Sequence, residues 1–230
     1  MKATLLFIVS ATIFFSCKKD ILNKKCLQNC KTYNIKGRFY DGTTNEGFVN
    51  TPVNLKWDYF RYCIFCPSSK DVYSGKADAT GDFNFTVDLD TSLFNDYSLQ
   101  LTTPKFNNYF ELFPRDILKS DLQQNAMINV AYYPIANLEL HLHRTQTDII
   151  KNLNILHVWK ATVSGETITS YDYTGQTPQI IGDTILNIKA PASISTKIYI
   201  TKSLSNGNRV EITDSLVCVK NTNNIFHMNF

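Results

Sequence analysis

From residue 33 onward, apolar and polar residues alternate in short runs broken by turn residues. Ile35, Gly37 and Phe39 alternate with Lys36, Arg38 and Tyr40 before Asp41-Gly42 marks a turn. Val53, Leu55 and Trp57 repeat the period, and Phe83, Phe85 and Val87 follow directly on Thr80-Gly81-Asp82. Tyr97, Leu99 and Leu101 form another run. A period of two means that successive side chains point to opposite faces, as they do on a half-buried strand. After Pro134, Leu138, Leu140 and Leu142 alternate with Glu139, His141 and His143. Residues 155–163, 167–173, 180–188, 198–204, 210–219 and 225–230 also read as strands. Asn206-Gly207 predicts a tight type I′ hairpin, whose two central residues need positive φ. The one segment with helical character is 111–124, where one or two turns are expected from Ile117, after Pro114 and Asp116.

Short strands at near-regular spacing predict an all-β fold. The expected arrangement is two tandem β-sandwiches, residues 33–136 and 137–230, the second of immunoglobulin-like kind. One larger continuous β-fold is the alternative. Hydrophobic content of 43% and aromatic content of 13% are ample for packed cores and argue against disorder. A net charge of +3, with both signs interspersed, supplies no basic patch and sets nucleic-acid binding aside.

The N-terminus follows a different pattern. Met1-Lys2 opens with a positive charge, and residues 3–15 are apolar apart from small hydroxyl residues. That run falls short of the ~20 residues needed to span a bilayer and reads as a secretory signal. Ser16-Cys17, a small residue before a cysteine at the end of such a run, resembles the lipobox of bacterial lipoproteins. The resemblance implies removal of residues 1–16, lipidation of Cys17 and a polar tether over 17–32. Several acyl chains on one residue, at ~0.8 kcal/mol per buried methylene, would hold the chain at the membrane. By resemblance to known sorting patterns, Lys18 points to the outer membrane, with the periplasmic and surface faces both open.

Ile35-Lys-Gly-Arg-Phe-Tyr-Asp41, Thr51-Pro-Val-Asn-Leu55, Asp78-Ala-Thr-Gly-Asp-Phe-Asn-Phe85 and Tyr97-Ser-Leu-Gln-Leu101 together resemble a carboxypeptidase regulatory-like domain. The resemblance covers residues 33–136 and implies a transthyretin-like sandwich. It implies no peptidase activity, because the carboxypeptidases' own zinc motifs are missing. Residues 57–69, with two cysteines and several aromatics, look like an insertion into that pattern. Within it Trp57, Tyr59, Phe60 and Tyr62 are the expected exposed cluster, able to stack on a sugar or another extracellular ligand.

The chain has six cysteines. With Cys17 lipidated, Cys26-x3-Cys30 and Cys63-x2-Cys66 stand out as close pairs. Their spacing permits a four-cysteine zinc site, but export favours disulfides among Cys26, Cys30, Cys63 and Cys66, with connectivity open. Cys218 reads as a buried thiol packed as a small hydrophobe. No zinc-hydrolase histidine spacing, nucleophile elbow or phosphate loop occurs. His141 and His143 share one face of a strand, which reads as the polar outer face of a sheet or as a two-point metal site. Asp78, Asp82, Asp88 and Asp90 lie near turns, where carboxylates either cap backbone groups or ligate calcium. No catalytic residue, cofactor or metal is assigned. The chain is expected to be a non-catalytic, membrane-anchored envelope module that binds another envelope protein, or alternatively a glycan or other extracellular ligand.

Overall fold

The computed structural model describes residues 29–59, 69–95, 97–110, 115–123, 125, 127–145, 147, 149–163, 166–176 and 182–230. The expected signal segment and Cys17, together with Cys26, Phe60, Tyr62, Cys63 and Cys66, lie outside the described residues. The fold is all-β. Its strands are β1 (Cys30–Asp41), β2 (Pro52–Tyr59), β3 (Ser69–Lys76), β4 (Asp82–Asp90), β5 (Tyr97–Thr102), β6 (Arg115–Ile117) and β7 (Met127–Tyr132). They continue with β8 (Ile135–His143), β9 (Ile150–Val163), β10 (Glu166–Gln176), β11 (Thr184–Pro191), β12 (Ser195–Leu204), β13 (Arg209–Val217) and β14 (Asn224–Asn229). A short α-helix, Lys119–Gln123, follows β6, and the carboxylate of Asp121 accepts the N–H of Leu118 at its start. β3 and β6 show no clear alternation in the sequence, whereas Ile128, Val130 and Tyr132 of β7 share one phase.

The chain forms two compact units. The first draws on residues up to Arg38, on Phe48–Pro104 and on Leu112–Ile128. The second draws on Phe39–Gly47, Lys105–Glu111 and Asn129–Phe230, so β1 and β7 contribute residues to both.

In the first unit the β3–β2–β5–β6 sheet buries Val53, Leu55, Trp57, Leu99, Leu101 and Ile117. β4 pairs antiparallel with β1, Ile35 opposite Phe85 and Gly37 opposite Phe83, and it contributes Phe83, Phe85, Val87 and Leu89 to the core. The ring of Tyr73 on β3 stacks on Phe85 of β4 at 3.7 Å between centroids, which ties one sheet to the other as in a β-sandwich. Gly37 is needed for close approach. A Cβ there would run into the carbonyl oxygen of Ile128 and lie 2.5 Å from the ring of Phe83. Gly81 holds a φ of +82° in the turn before β4, where Asp78 accepts the N–H groups of Thr80 and Asp82.

The second unit is built from a β10–β9–β12–β13 sheet and a β11–β8–β14 sheet. Leu138, Leu140 and Leu142 of β8, Ile188 and Ala190 of β11, and Met228 of β14 face Leu153 and Ile155 of β9 and Ile198 and Ile200 of β12 in one core. Two sheets sharing a core of inward alternate residues make a sandwich. β14 runs parallel to β8, Phe226 beside Leu140, and β11 runs antiparallel along the other side of β8.

The β12–β13 hairpin departs from the expected type I′ turn. Leu204 and Asn208 close a three-residue loop through a 2.8 Å bond from Leu204 N–H to the Asn208 carbonyl. Gly207 alone in that loop has positive φ, +87°. That is the type I turn with a following left-handed glycine that three-residue hairpin loops adopt. The side chain of Asn206 accepts the N–H of Asn208 instead of entering the left-handed region itself.

Candidate functional site

Among the described residues, the strongest cluster of ligand-type side chains lies on the outer face of the β11–β8–β14 sheet. Leu138, Leu140 and Leu142 take the inward phase of β8, which turns Glu139, His141 and His143 outward. On β14, Met228 points inward and His227 outward, and the parallel register sets His227 beside His141. Three of the chain's four histidines therefore meet on one surface. His143 Nε2 lies 2.9 Å from His227 Nδ1, with the two rings nearly parallel at 8° and 5.2 Å between centroids. The His141 ring is 4.7 Å from that of His227.

Each histidine of β8 also has a carboxylate neighbour. His143 Nδ1 is 3.4 Å from Asp183 Oδ2, and His141 Nε2 is 3.4 Å from Glu139 Oε2. Asp183 is fixed by a second bond, accepting the Arg144 N–H at 2.9 Å. That backbone bond and the His143 ring hold the Asp183 carboxyl below the usual range. An N···N separation of 2.9 Å requires one ring to donate and the other to accept. With Nδ1–H of His143 directed at Asp183, its Nε2 becomes the acceptor for Nδ1–H of His227. Among the described residues, no three His, Cys, Asp or Glu side chains converge as they stand around one metal position. The sequence placed His141 and His143 on one face but gave no sign of His227, since nothing local announces a parallel strand so distant in the chain.

The other residues singled out in the sequence whose side chains are described take structural roles. Trp57 is not exposed: at 4% exposure it is a core residue, packed edge-on to Phe94 at 4.9 Å. The reason lies in its own alternation, because Val53, Leu55 and Trp57 occupy one phase of β2, and that phase faces inward. Tyr59 ends β2, while Phe60 and Tyr62 lie beyond the described residues. The four aspartates do not converge. Asp78 caps its turn, Asp88 accepts the Thr32 hydroxyl, Asp90 accepts Ser92 N–H and hydroxyl, and Asp82 faces Arg38 at 3.8 Å.

Cys30 is disulfide-bonded, and Cys218 is a free, buried thiol whose pKa burial pushes up. In the second unit Asp41, largely buried, accepts the Tyr109 hydroxyl at 2.7 Å and the hydroxyl and N–H of Thr43. Neither partner of that pair was singled out in the sequence as more than a turn or an aromatic.

No protein-family model matches the chain, and no curated protein matches it in sequence. Among solved structures, the shaft pilin SpaA of Lactobacillus rhamnosus GG is 8% identical, covering 86% of this chain and 98% of its own, at a TM-score of 0.34. A putative adhesin from Bacteroides ovatus is 8% identical, with 93% of both chains covered and a TM-score of 0.29. The Bacillus anthracis TIE protein is 15% identical at a TM-score of 0.29. The match covers 86% of this chain but spans only 33% of that protein's length.

Proposed function

We propose that the chain is a non-catalytic interaction module of the cell envelope, anchored in the outer membrane through a lipidated Cys17. In this reading the first unit is a carboxypeptidase regulatory-like sandwich and the second an immunoglobulin-like one, and the second carries the contact surface. One observation supports it above the rest. β10, β13, β11 and β14 are the four edge strands of the second unit, and each bears a large apolar side chain pointing to solvent. Tyr171, Val217, Ile185 and Ile225 are between 48% and 67% exposed. An open edge offers unpaired backbone donors and acceptors, and an apolar side chain on it supplies the contact area that lets a partner strand dock. Scattered apolar residues on a surface are ordinary, but one on an open edge strand gives strand addition by a second envelope protein a place to dock.

Chemistry has less support. The carboxylates near turns are spent on caps, and a catalytic centre needs titratable groups that converge on a shared point in a cleft. A glycan-binding reading would rest on Tyr59, Phe60 and Tyr62 alone, since Trp57 is buried.

The test is photo-crosslinking in intact cells from Val217 and Ile225, followed by mass spectrometry of the purified adduct. A reproducible envelope protein captured from these two positions, and not from Asp88 in the first unit, supports strand addition. An empty result with well-expressed bait sinks it and leaves the glycan reading. Anchoring is tested separately, since Cys17→Ala should shift the chain out of the membrane fraction. Retention there would refute the lipid anchor.

A further inference from the structure

We infer that His143 and His227 form a surface chelate for a borderline divalent transition metal, Cu(II), Ni(II) or Zn(II), with His141 able to join as a third ligand. Imidazole nitrogens are the protein ligands these ions favour, whereas calcium and magnesium prefer oxygen. The two facing nitrogens, His143 Nε2 and His227 Nδ1, are 2.9 Å apart. With metal–nitrogen bonds of ~2.0–2.1 Å, adjacent ligands lie ~2.8–3.0 Å apart in a square-planar site and ~3.3 Å apart in a tetrahedral one. The spacing matches neighbouring ligands on Cu(II) or Ni(II) and is a few tenths of an ångström short for Zn(II). The two nitrogens face each other head-on, with 5.2 Å between ring centroids, so both rings must turn for their lone pairs to meet on one ion.

Two further features point to a metal rather than to a plain polar face. Asp183 sits on the far nitrogen of His143 and is itself held by the Arg144 N–H, so Nε2 is left as the lone pair facing His227. A carboxylate on the non-ligating nitrogen is the arrangement that orients metal-binding histidines and raises their basicity. His141 stands directly beside His227 in the strand register, with 4.7 Å between ring centroids. Rotation of its ring away from Glu139 would bring a third nitrogen to the same point. The side chain of His143 is 41% exposed, so the ion can enter from water and the rings have room to turn.

The neutral pair holds one proton between its two nitrogens. For both lone pairs to reach the ion His227 must change tautomer, its Nδ1 proton leaving to solvent as its Nε2 takes one up, so no net proton is released.

The experiment uses the full chain, purified without a histidine tag, and titrates Cu(II) and Ni(II) by calorimetry with electron paramagnetic resonance of the copper form. One equivalent of Cu(II) per chain should bind, with nitrogen hyperfine structure from at least two imidazoles. His143→Gln and His227→Gln should each abolish that signal, and Asp183→Asn should weaken binding by about 10–100-fold. Each variant's metal-free melting temperature should match the wild type, because all three side chains face solvent. A measurement on the unaltered chain guards against a folding defect. Bound metal should shield His143 and His227 from diethyl pyrocarbonate while leaving exposed lysines reactive. Failure of the wild type to bind, absence of shielding, or undiminished binding in the His143→Gln/His227→Gln double variant would each overturn the site.

Discussion

The phenol of Tyr109 donates to the carboxylate of Asp41 across 2.7 Å, joining two side chains that are 68 residues apart in the chain. Asp41 ends β1, and its other oxygen gathers the hydroxyl and N–H of Thr43 and the N–H of Thr44. Burial alone would raise the Asp41 carboxyl, but these four donors outweigh it and hold the pKa below the ordinary value. Burial and the adjacent carboxylate push the Tyr109 phenol the other way, up to about 12.

Tyr109→Phe should therefore cost about 1.5–3 kcal/mol, the range for a hydrogen bond to a charged acceptor. The signs of the pH dependence follow from the two shifts. Asp41 has a depressed pKa, so its contribution is present above the ordinary carboxylate value near 3.8 and is lost as pH falls through the lower folded value. Tyr109 has a raised pKa, so its contribution is complete below pH 10 and is lost as pH climbs toward about 12. Chemical denaturation across pH checks both limbs. Asp41→Asn should flatten the acid limb, and Tyr109→Phe the alkaline one.

Gly37→Ala should cost about 3 kcal/mol or more, because the new methyl meets a backbone oxygen that cannot turn aside. The melting midpoint of the first unit should fall by more than ~10 °C. Gly182→Ala is the matched control. Its Cβ would meet nothing within 4 Å, so stability should stay within about 0.5 kcal/mol. A Gly37→Ala effect as small as that of Gly182→Ala would show that β1 and β7 lie further apart at Gly37 than this contact requires.

Trp57→Ala should behave as a core deletion, costing about 3–5 kcal/mol, since the indole packs against Phe94 inside the first unit. Calorimetry of the variant decides this. A stable protein that has lost a ligand would mean that the indole faces solvent after all.

Strands were legible where a strong apolar alternation ran unbroken, as from Leu138 to Leu142 or Phe83 to Val87. β3 has no such alternation because its residues are mostly polar or small, Ser-Lys-Asp-Val-Tyr-Ser-Gly-Lys, none of them is buried, and its place in the sheet comes from the strand it pairs with. Phase was the information that composition hid. Trp57 looked like part of an exposed aromatic group, yet counting by twos from Val53 puts it inside. The His143–His227 contact was beyond sequence reasoning for a different reason. It depends on which strand lies beside β8, and parallel neighbours are chosen by the packing of Met228 and Phe230 into the core, not by any local turn. Likewise, the alternation from Ile35 to Tyr40 reads as one strand, and nothing in it marks the change of unit after Arg38 within β1.

Cys30 and Cys218 should differ in their response to an alkylating reagent. Cys218 is fully buried, with a thiol pKa raised by its apolar surroundings, so little of the reactive thiolate forms and little reagent reaches it. Cys30 is exposed but already in a disulfide, so it has no thiol to react. The native chain treated with iodoacetamide should therefore remain unlabelled at both positions in peptide mass spectrometry. Denaturation without a reductant should expose Cys218 to complete labelling and leave Cys30 untouched. Reductant added before denaturation should open Cys30 and cost about 2–5 kcal/mol of stability. Labelling of Cys218 in the native chain would mean that the second unit opens far more readily than its packed core allows. Labelling of Cys30 without reductant would remove the disulfide altogether.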